Sequence, residues 1–256
     1  MRSFFIGLQF LTRIAIVHQE NWTVEDFGRS VKTFPLVGAV LGIFYALTAY
    51  FLYIWLPSFG WEIPRHLSSL ILVLLPLLLT GGLHADGFMD TMDGVFSGRS
   101  RERKLEIMKD SRVGANGVTS FVLLVMLNWT LLLDMPPFWL VPALFVMPVI
   151  ARCMMVVAIT CFPYARPEGM GKAFAQYAGH KSLWLAFFLT LVCVVPWGYL
   201  AAVAFFVCTG FTVSFSRYIS RVLGGLTGDV YGAVTLLNEA LVLFVFLMGI
   251  QGMGRG

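Results

Sequence analysis

Seven long apolar runs divide the chain, and they limit what it can fold into. Each approaches the roughly 20 apolar residues that an α-helix needs to cross a bilayer. Only 12% of the residues are charged, about half the usual share of a soluble domain, so a water-soluble fold could not cover its surface. The sequence therefore predicts an all-α fold, a polytopic membrane helical bundle forming one domain over 1–256. It excludes a soluble enzyme, a disordered chain and a nucleic-acid-binding protein. The predicted spans are approximately 34–56, 67–83, 113–133, 138–161, 183–197, 198–216 and 232–250.

The basic residues predict an orientation for this bundle. With the N-terminus in the cytoplasm, 15 of the 18 Lys and Arg residues fall on cytoplasmic segments. Arg65 and Arg255 then lie outside and Arg152 lies within a span, which agrees with the positive-inside rule. Residues 1–17 have no small-residue cleavage site, and Arg13 interrupts their apolar run. They predict a retained helix at the membrane interface rather than a signal peptide.

The charge-free stretch 183–216 is long for a single helix. Pro196-Trp197-Gly198 predicts a turn that divides it into two spans. A single span would move Arg217 and Arg221 to the outer side, so the charge pattern favours the hairpin. About seven spans result.

An acidic segment at 81–118 carries most of the residues capable of chemistry. Asp86, Asp90 and Asp93 follow an i, i+4, i+7 spacing, which places them on one stripe of a helix. The stripe begins where the apolar stretch Leu70–Leu83 ends, where uncompensated charge is costly. Carboxylate oxygens without cysteine ligands suit Mg²⁺, with Mn²⁺ as an alternative. The sequence therefore predicts a divalent metal site on the cytoplasmic side.

A second helical stretch is predicted over 101–110, where Glu106 and Asp110 repeat the i, i+4 spacing. Two facing acidic stripes would hold two divalent ions, whereas the alternative is a solvated, salt-bridged helix. The first stripe has no basic residue of its own before Arg99, which weighs against that alternative there. The basic residues of this segment suit either phosphate groups or anionic lipids; they are Arg99, Arg101, Arg103, Lys109 and Arg112. Acids for metal and bases for phosphate predict phosphoryl or phosphodiester transfer.

Four further polar residues are candidates whose roles the sequence leaves open. His84 is one helical position off the aspartate stripe, and a lone histidine near an interface is often structural. Asp229 either joins the site or caps the next helix. Arg166 and Lys172 lie in the same cytoplasmic layer and either bind substrate phosphates or only set the topology.

Two charged residues fall within predicted spans. Arg152 and Glu239 are expected to face the interior of the bundle. They pair with each other or line the substrate cavity.

The segment GGLHADGFMDTMDGVFSGRSRERKLEIMKDSRVGANG at 81–117 resembles the cobalamin (5′-phosphate) synthases, also called adenosylcobinamide-GDP ribazoletransferases. Supporting pieces are FLTRIAIV at 10–17, FPLVGAVLG at 34–42, PYARPEGMGKAF at 163–174 and GGLTGDVYGA at 224–233. The resemblance runs almost end to end, and only Ala85 departs, in place of a larger apolar residue. It implies a Mg²⁺-dependent enzyme of the bacterial cytoplasmic membrane. In the implied reaction the ribose 3′-hydroxyl of α-ribazole or its 5′-phosphate attacks the phosphorus nearest the cobinamide of adenosylcobinamide-GDP, and GMP leaves.

The residues and the resemblance together give the predicted site. The catalytic residues are Asp86, Asp90, Asp93 and His84. The metal ligands are Asp86, Asp90, Asp93 and Asp110. The substrate-binding residues are Arg99, Lys109, Arg112, Arg166 and Asp229.

Two other functions compete with this interpretation. A CDP-alcohol-type phosphotransferase of lipid synthesis shares Asp90-x-x-Asp93-Gly94. Glu106-x-x-x-Asp110 matches only the last two acids of that family's pattern, with Glu for Asp and without the glycine in register. A cation-coupled membrane transporter would place carboxylates at the bilayer midplane rather than beside one face. The sequence leaves open whether the chain forms a homo-oligomer and whether the ribazole substrate is free or phosphorylated.

Overall fold

The computed structural model describes residues 2–16 and 22–253, and this part of the chain is helical without a β-strand. In chain order the helices are α1 (Arg2–Leu11), α2 (Val24–Ser30), α3 (Phe34–Tyr50), α4 (Leu56–Ser58), α5 (Arg65–Thr80), α6 (Leu83–Phe96), α7 (Arg101–Ile107), α8 (Ala115–Asp134), α9 (Pro137–Cys161), α10 (Met170–Tyr177), α11 (His180–Val194), α12 (Tyr199–Leu223) and α13 (Gly228–Met253). The shorter turns are the 3₁₀ turns Val31–Thr33 and Val195–Trp197 and the π-helical turn Phe51–Trp55.

The predicted membrane bundle is confirmed. Within the described residues, six helical stretches are long and apolar enough to cross a bilayer, and a bent pair of helices makes a seventh if it counts as one span. The six are Val24–Ser58, Ala115–Asp134, Pro137–Cys161, His180–Trp197, Tyr199–Leu223 and Gly228–Gly252. The hairpin predicted within 183–216 is also confirmed, because the helical chain breaks at Gly198, which has a φ of 84°.

The second predicted span differs from its expected form. The apolar helix α5 ends at Thr80 rather than at residue 83, and α6 leaves it at an angle of 93°. The turn consists of Gly81 and Gly82, whose φ values are 62° and 74°. Only glycine adopts such left-handed conformations without steric cost. This pair of glycines therefore directs the aspartate-bearing helix away from the axis of α5.

Helix α9 lies at the centre of the bundle, and most of its residues are buried. Its main neighbours are α3 and α13. Arg152 on α9 is fully buried and forms an ion pair with Glu239 on α13. The pairing that the sequence left open is therefore present in the structure.

The N-terminal segment is helical as predicted over Arg2–Leu11, where Ile6, Leu8 and Leu11 are each 1% exposed. The rest of the predicted helix is not helical up to residue 16, and Met1 and Val17 lie outside the described residues. Arg255, one of the two basic residues expected on the outer side, also lies outside them.

Candidate functional site

The acidic stripe lies on α6, as the spacing predicts, and its three carboxylates differ in burial. Asp86 is exposed, Asp90 is half-buried and Asp93 is 7% exposed. Within the described part of the chain, the carboxylates of Asp86 and Asp90 make no hydrogen bond or ion pair. Two ionisable carboxylates one helical turn apart are thus left available for a ligand.

The third carboxylate of the stripe is directed to another helix. Asp93 accepts hydrogen bonds from the backbone N–H groups of Gly114, at 2.7 Å, and Gly117, at 2.8 Å. These groups lie at the N-terminus of α8, where backbone N–H groups have no partner within the helix. Asp93 therefore caps α8 from a neighbouring helix and fixes the position of α6 against it.

Asp229, at the start of α13, lies beside the two available carboxylates. Like charges from Asp229 and Asp86 act on Asp90. The backbone contact is close, because a Cβ on Gly87 would lie 2.8 Å from the Asp229 carbonyl oxygen. The glycine in α6 therefore permits the approach that completes an acidic cluster of Asp86, Asp90 and Asp229.

The sequence left open whether Asp229 caps α13 or joins this cluster. The capping group is Thr227, whose Oγ1 accepts a hydrogen bond from Val230 N at 3.3 Å. The same hydroxyl donates to the Asp229 carboxylate at 3.2 Å. Asp229 is therefore oriented by the cap without being the cap itself.

Arg166 supplies positive charge to the cluster. Its Nη2 lies 2.8 Å from Asp229 Oδ2 and also donates to the Met108 carbonyl oxygen at 3.3 Å. The loop that carries Arg166 is joined to the loop before α13 by two backbone hydrogen bonds of 2.8 Å, from Ala165 N to Leu226 O and from Leu226 N to Pro163 O. Arg166 and Asp229 therefore sit on two loops that are held to each other.

Two members of the cluster, Asp86 and Asp229, line a pocket that we call the inner pocket. Its polar lining includes His84, Asp86, Tyr164, Arg166 and Asp229. His84 is 2% exposed, and its Nε2 has no hydrogen-bond partner among the described residues. Burial raises the pKa of Tyr164 above its ordinary value, which keeps its hydroxyl protonated as a hydrogen-bond donor. Apolar side chains complete the wall; they include Phe10, Met155, Phe174 and Tyr231.

A second pocket, the outer pocket, also has Asp86 in its lining. The two pockets share Phe10, Leu83 and Asp86. Arg13 and the turn of Gly81 and Gly82 belong to the outer pocket alone. Asp86 is the carboxylate common to both pockets.

The remaining predicted site residues lie away from both pockets. The exposed side chains of Arg99 and Lys109 line neither one, and Asp110 and Arg112 pair with each other through two side-chain hydrogen bonds of 3.0 and 2.8 Å. Hydrogen bonds from Arg112 lower the pKa of Asp110 to about 2. The substrate and metal roles predicted for these four residues remain predictions.

The predicted second acidic stripe is wrong. Helix α7 ends at Ile107 instead of continuing to residue 110, so Asp110 follows the helix rather than lying on its face. Glu106 is engaged by Arg103 at 2.7 Å. The salt-bridged alternative describes α7 correctly. Lys172 likewise makes a local contact, from its Nζ to the Pro167 carbonyl oxygen.

A divalent ion would find oxygen donors at Asp86 and Asp90. Among the described residues, no group of three or more His, Cys, Asp or Glu side chains is arranged to hold a metal ion by itself. Mg²⁺ sites commonly combine one or two carboxylates with water and substrate phosphates, so these two free carboxylates fit the ion in that form. The carboxylate of Asp93 accepts hydrogen bonds from the N-terminus of α8, and that of Asp110 accepts hydrogen bonds from Arg112.

Two residues of this region had no role in the sequence analysis. Thr227 and Tyr164 stand in the motifs GGLTGD and PYAR, next to residues that were considered. Gly87 belongs to a glycine-rich segment whose glycines allow close backbone approach. A threonine before a glycine and a helix is a capping pattern that local inspection finds, whereas the contact of Gly87 with α13 depends on the tertiary fold.

Comparisons with known proteins agree on one family. The family model described as cobalamin-5-phosphate synthase matches residues 3–247. A curated protein of Desulfitobacterium hafniense (strain Y51), named adenosylcobinamide-GDP ribazoletransferase, is 41% identical and is covered over 95% of each chain. Proteins of the same name from Desulforamulus reducens and Clostridium acetobutylicum are 39% and 38% identical, over 97% and 94% of each chain. No solved structure matches the chain.

Proposed function

The chain belongs to the cobalamin-5-phosphate synthase family, and from this premise we propose that it joins adenosylcobinamide-GDP to α-ribazole or its 5′-phosphate, with release of GMP. It is a transferase of cobalamin biosynthesis and carries membrane-spanning helices. The observation that carries the proposal is the similarity to proteins named for this reaction along nearly the whole chain. The comparisons favour neither a phospholipid synthase nor a transporter.

The acidic cluster supports a magnesium-dependent reaction of the phosphotransferase type. Asp86 and Asp90 would hold Mg²⁺ or Mn²⁺ together with the diphosphate of the substrate. When bound, the ion neutralises phosphate oxygens and stabilises the departing GMP. Asp93 contributes by fixing α6 to α8, which keeps the two free carboxylates in position.

The protein's own groups account for binding and proton transfer. Arg166 contacts a phosphate oxygen from the wall of the inner pocket, and its pairing with Asp229 fixes its orientation. The ribose 3′-hydroxyl attacks the phosphorus nearest the cobinamide, a new P–O bond forms, and the P–O bond to GMP breaks. One of the two free carboxylates accepts the hydroxyl proton. His84, which lines the inner pocket and has an unpaired Nε2, donates a hydrogen bond to the substrate when that nitrogen carries the proton.

The location of this reaction follows from the charge distribution along the chain. The acidic cluster and the basic segments around it belong to the side that the positive-inside rule assigns to the cytoplasm. We infer that the protein resides in the bacterial cytoplasmic membrane with its active site facing the cytoplasm. A homo-oligomeric state remains a prediction.

The function is tested by GMP release from adenosylcobinamide-GDP in detergent or nanodiscs, with Mg²⁺ and either form of the acceptor. We expect Asp86→Ala and Asp90→Ala to lower the rate on the order of 10³-fold, because the diphosphate loses its ion and the hydroxyl loses its base. Glu25→Ala is the matched control, since Glu25 pairs on the surface with Arg29. Wild-type rates in both aspartate variants would overturn the metal assignment, and release of CMP from a CDP-alcohol in place of GMP would overturn the reaction itself.

A further inference from the structure

The outer pocket is lined by Arg13, a residue to which the proposed reaction assigns no role. Arg13 follows α1, and its backbone N–H donates to the Leu79 carbonyl oxygen at 2.7 Å, which fixes this segment to the last turn of α5. Its guanidinium lies against the bend, because a Cβ on Gly81 would lie 2.0 Å from Arg13 Nε. The backbone bond and this contact hold the cationic group at the edge of the outer pocket.

The charges of the two pockets differ. In the inner pocket Arg166 is paired with Asp229. In the outer pocket Arg13 is exposed, and its guanidinium has no carboxylate partner among the described residues. It is the only cation among the described residues lining that pocket, whose polar neighbours include Thr12 and Thr80. An unpaired guanidinium beside a polar cavity suits a phosphate group, which it binds through two parallel hydrogen bonds.

The position of Asp86 indicates which phosphate this is. In phosphoryl transfer the attacking and leaving oxygens lie roughly in line on opposite sides of the phosphorus. Asp86 is common to both pockets, so a phosphorus held there can be approached from the outer pocket while the leaving nucleotide departs through the inner one. A phosphate at Arg13 then lies on the nucleophile's side and is separate from the diphosphate.

We propose that the outer pocket binds the ribazole acceptor and that Arg13 contacts its 5′-phosphate, which makes Arg13 the residue that sets the preference for the phosphorylated acceptor. This assignment rests on the proposed function. The family description, cobalamin-5-phosphate synthase, is consistent with a phosphorylated acceptor. Arg13 of the motif FLTR thereby has a specific role, because it contacts the 5′-phosphate that distinguishes the two acceptors.

The test compares the two acceptors on the full chain with Mg²⁺ and saturating adenosylcobinamide-GDP. We expect Arg13→Gln to lower kcat/KM for α-ribazole 5′-phosphate roughly 10- to 100-fold. For free α-ribazole the value should stay within about threefold, because that acceptor carries no group for the guanidinium. The KM for adenosylcobinamide-GDP should not change. Arg29→Gln, which removes an exposed cation that lines neither pocket, should leave both acceptors unaffected.

Several outcomes would overturn the assignment. One is an equal loss for both acceptors with a raised KM for adenosylcobinamide-GDP, which would place Arg13 on the donor substrate, and another is the absence of any effect. If Arg13→Gln lowers both activities and the melting temperature, Arg13→Lys decides: it must restore turnover of free α-ribazole while kcat/KM for the phosphorylated acceptor stays below that of the wild type. Absence of GMP release by the wild-type protein with either acceptor would instead refute the proposed function, and the assignment with it.

Discussion

Replacement of Asp93 by alanine tests whether this residue caps helix α8 or binds a metal ion. The change removes two charge-assisted hydrogen bonds, of 2.7 and 2.8 Å, to backbone groups of Gly114 and Gly117. A hydrogen bond to a charged group contributes about 1.5–3 kcal/mol, and a carboxylate at a helix N-terminus adds about 0.3–1 kcal/mol. Because water can reach part of the vacated site, we expect a net loss of roughly 2–4 kcal/mol. For a chain of this size that corresponds to a decrease of roughly 5–15 °C in melting temperature.

Tryptophan fluorescence during heating in detergent, with and without Mg²⁺, measures this effect, since the chain has seven tryptophans. Asp86→Ala is the matched control, because it removes an exposed carboxylate from the same helix and should melt within about 2 °C of the wild type. Asp93→Asn should fall between the two, because its amide oxygen accepts one bond but its NH₂ group cannot accept the other.

The opposite pattern would refute the reasoning. If Asp93→Ala melts like the wild type without Mg²⁺ and loses only the stabilisation that Mg²⁺ provides, Asp93 is a metal ligand rather than a cap of α8.

Two further substitutions test other parts of the structure. Glu239→Gln should lower stability by about 3–5 kcal/mol, because it leaves the charge of fully buried Arg152 without a counter-charge. Melting in detergent checks this, and recovery in an Arg152→Leu/Glu239→Leu double variant should accompany it; an unchanged melting temperature in Glu239→Gln would contradict the prediction. Arg112→Gln should raise the pKa of Asp110 from about 2 towards its ordinary value of 3.8, because the hydrogen bonds that favour the carboxylate are lost. The stabilising effect of this pair is therefore complete above pH 3.8 and disappears as the pH falls towards 2, and carboxyl ¹³C chemical shifts of labelled aspartate should show the displaced titration; an identical titration in both proteins would refute it.

The sequence predicts the parts of this molecule that depend on local patterns. Apolar run length locates the spans, the charge-free stretch 183–216 divides at Gly198, and the i, i+4, i+7 spacing places three aspartates on one helix. Each depends on neighbours within a few turns of the chain.

The parts that sequence reasoning missed depend on contacts between distant segments. The periodicity places Asp93 on one stripe with Asp86 but does not show that it caps α8, because its partner Gly117 lies 24 positions away. Asp229 reaches α6 only because α13 packs against Gly87. Periodicity describes which residues share a face but not what that face meets.

The paired backbone hydrogen bonds between Ala165 and Leu226, and between Leu226 and Pro163, have a consequence for how such chains can vary. These bonds fix the register of the two loops relative to each other. Insertion or deletion of one residue between Ala165 and Arg166, or between Leu226 and Asp229, would shift the side chain of Arg166 relative to that of Asp229. Each loop alone could still adapt to the new length. By contrast, a Cβ at Gly60, in the turn after α4, would meet no other atom within 4 Å. Natural variation in chain length should therefore accumulate around residue 60 and be rare in the two hydrogen-bonded loops at 163–166 and 226–229.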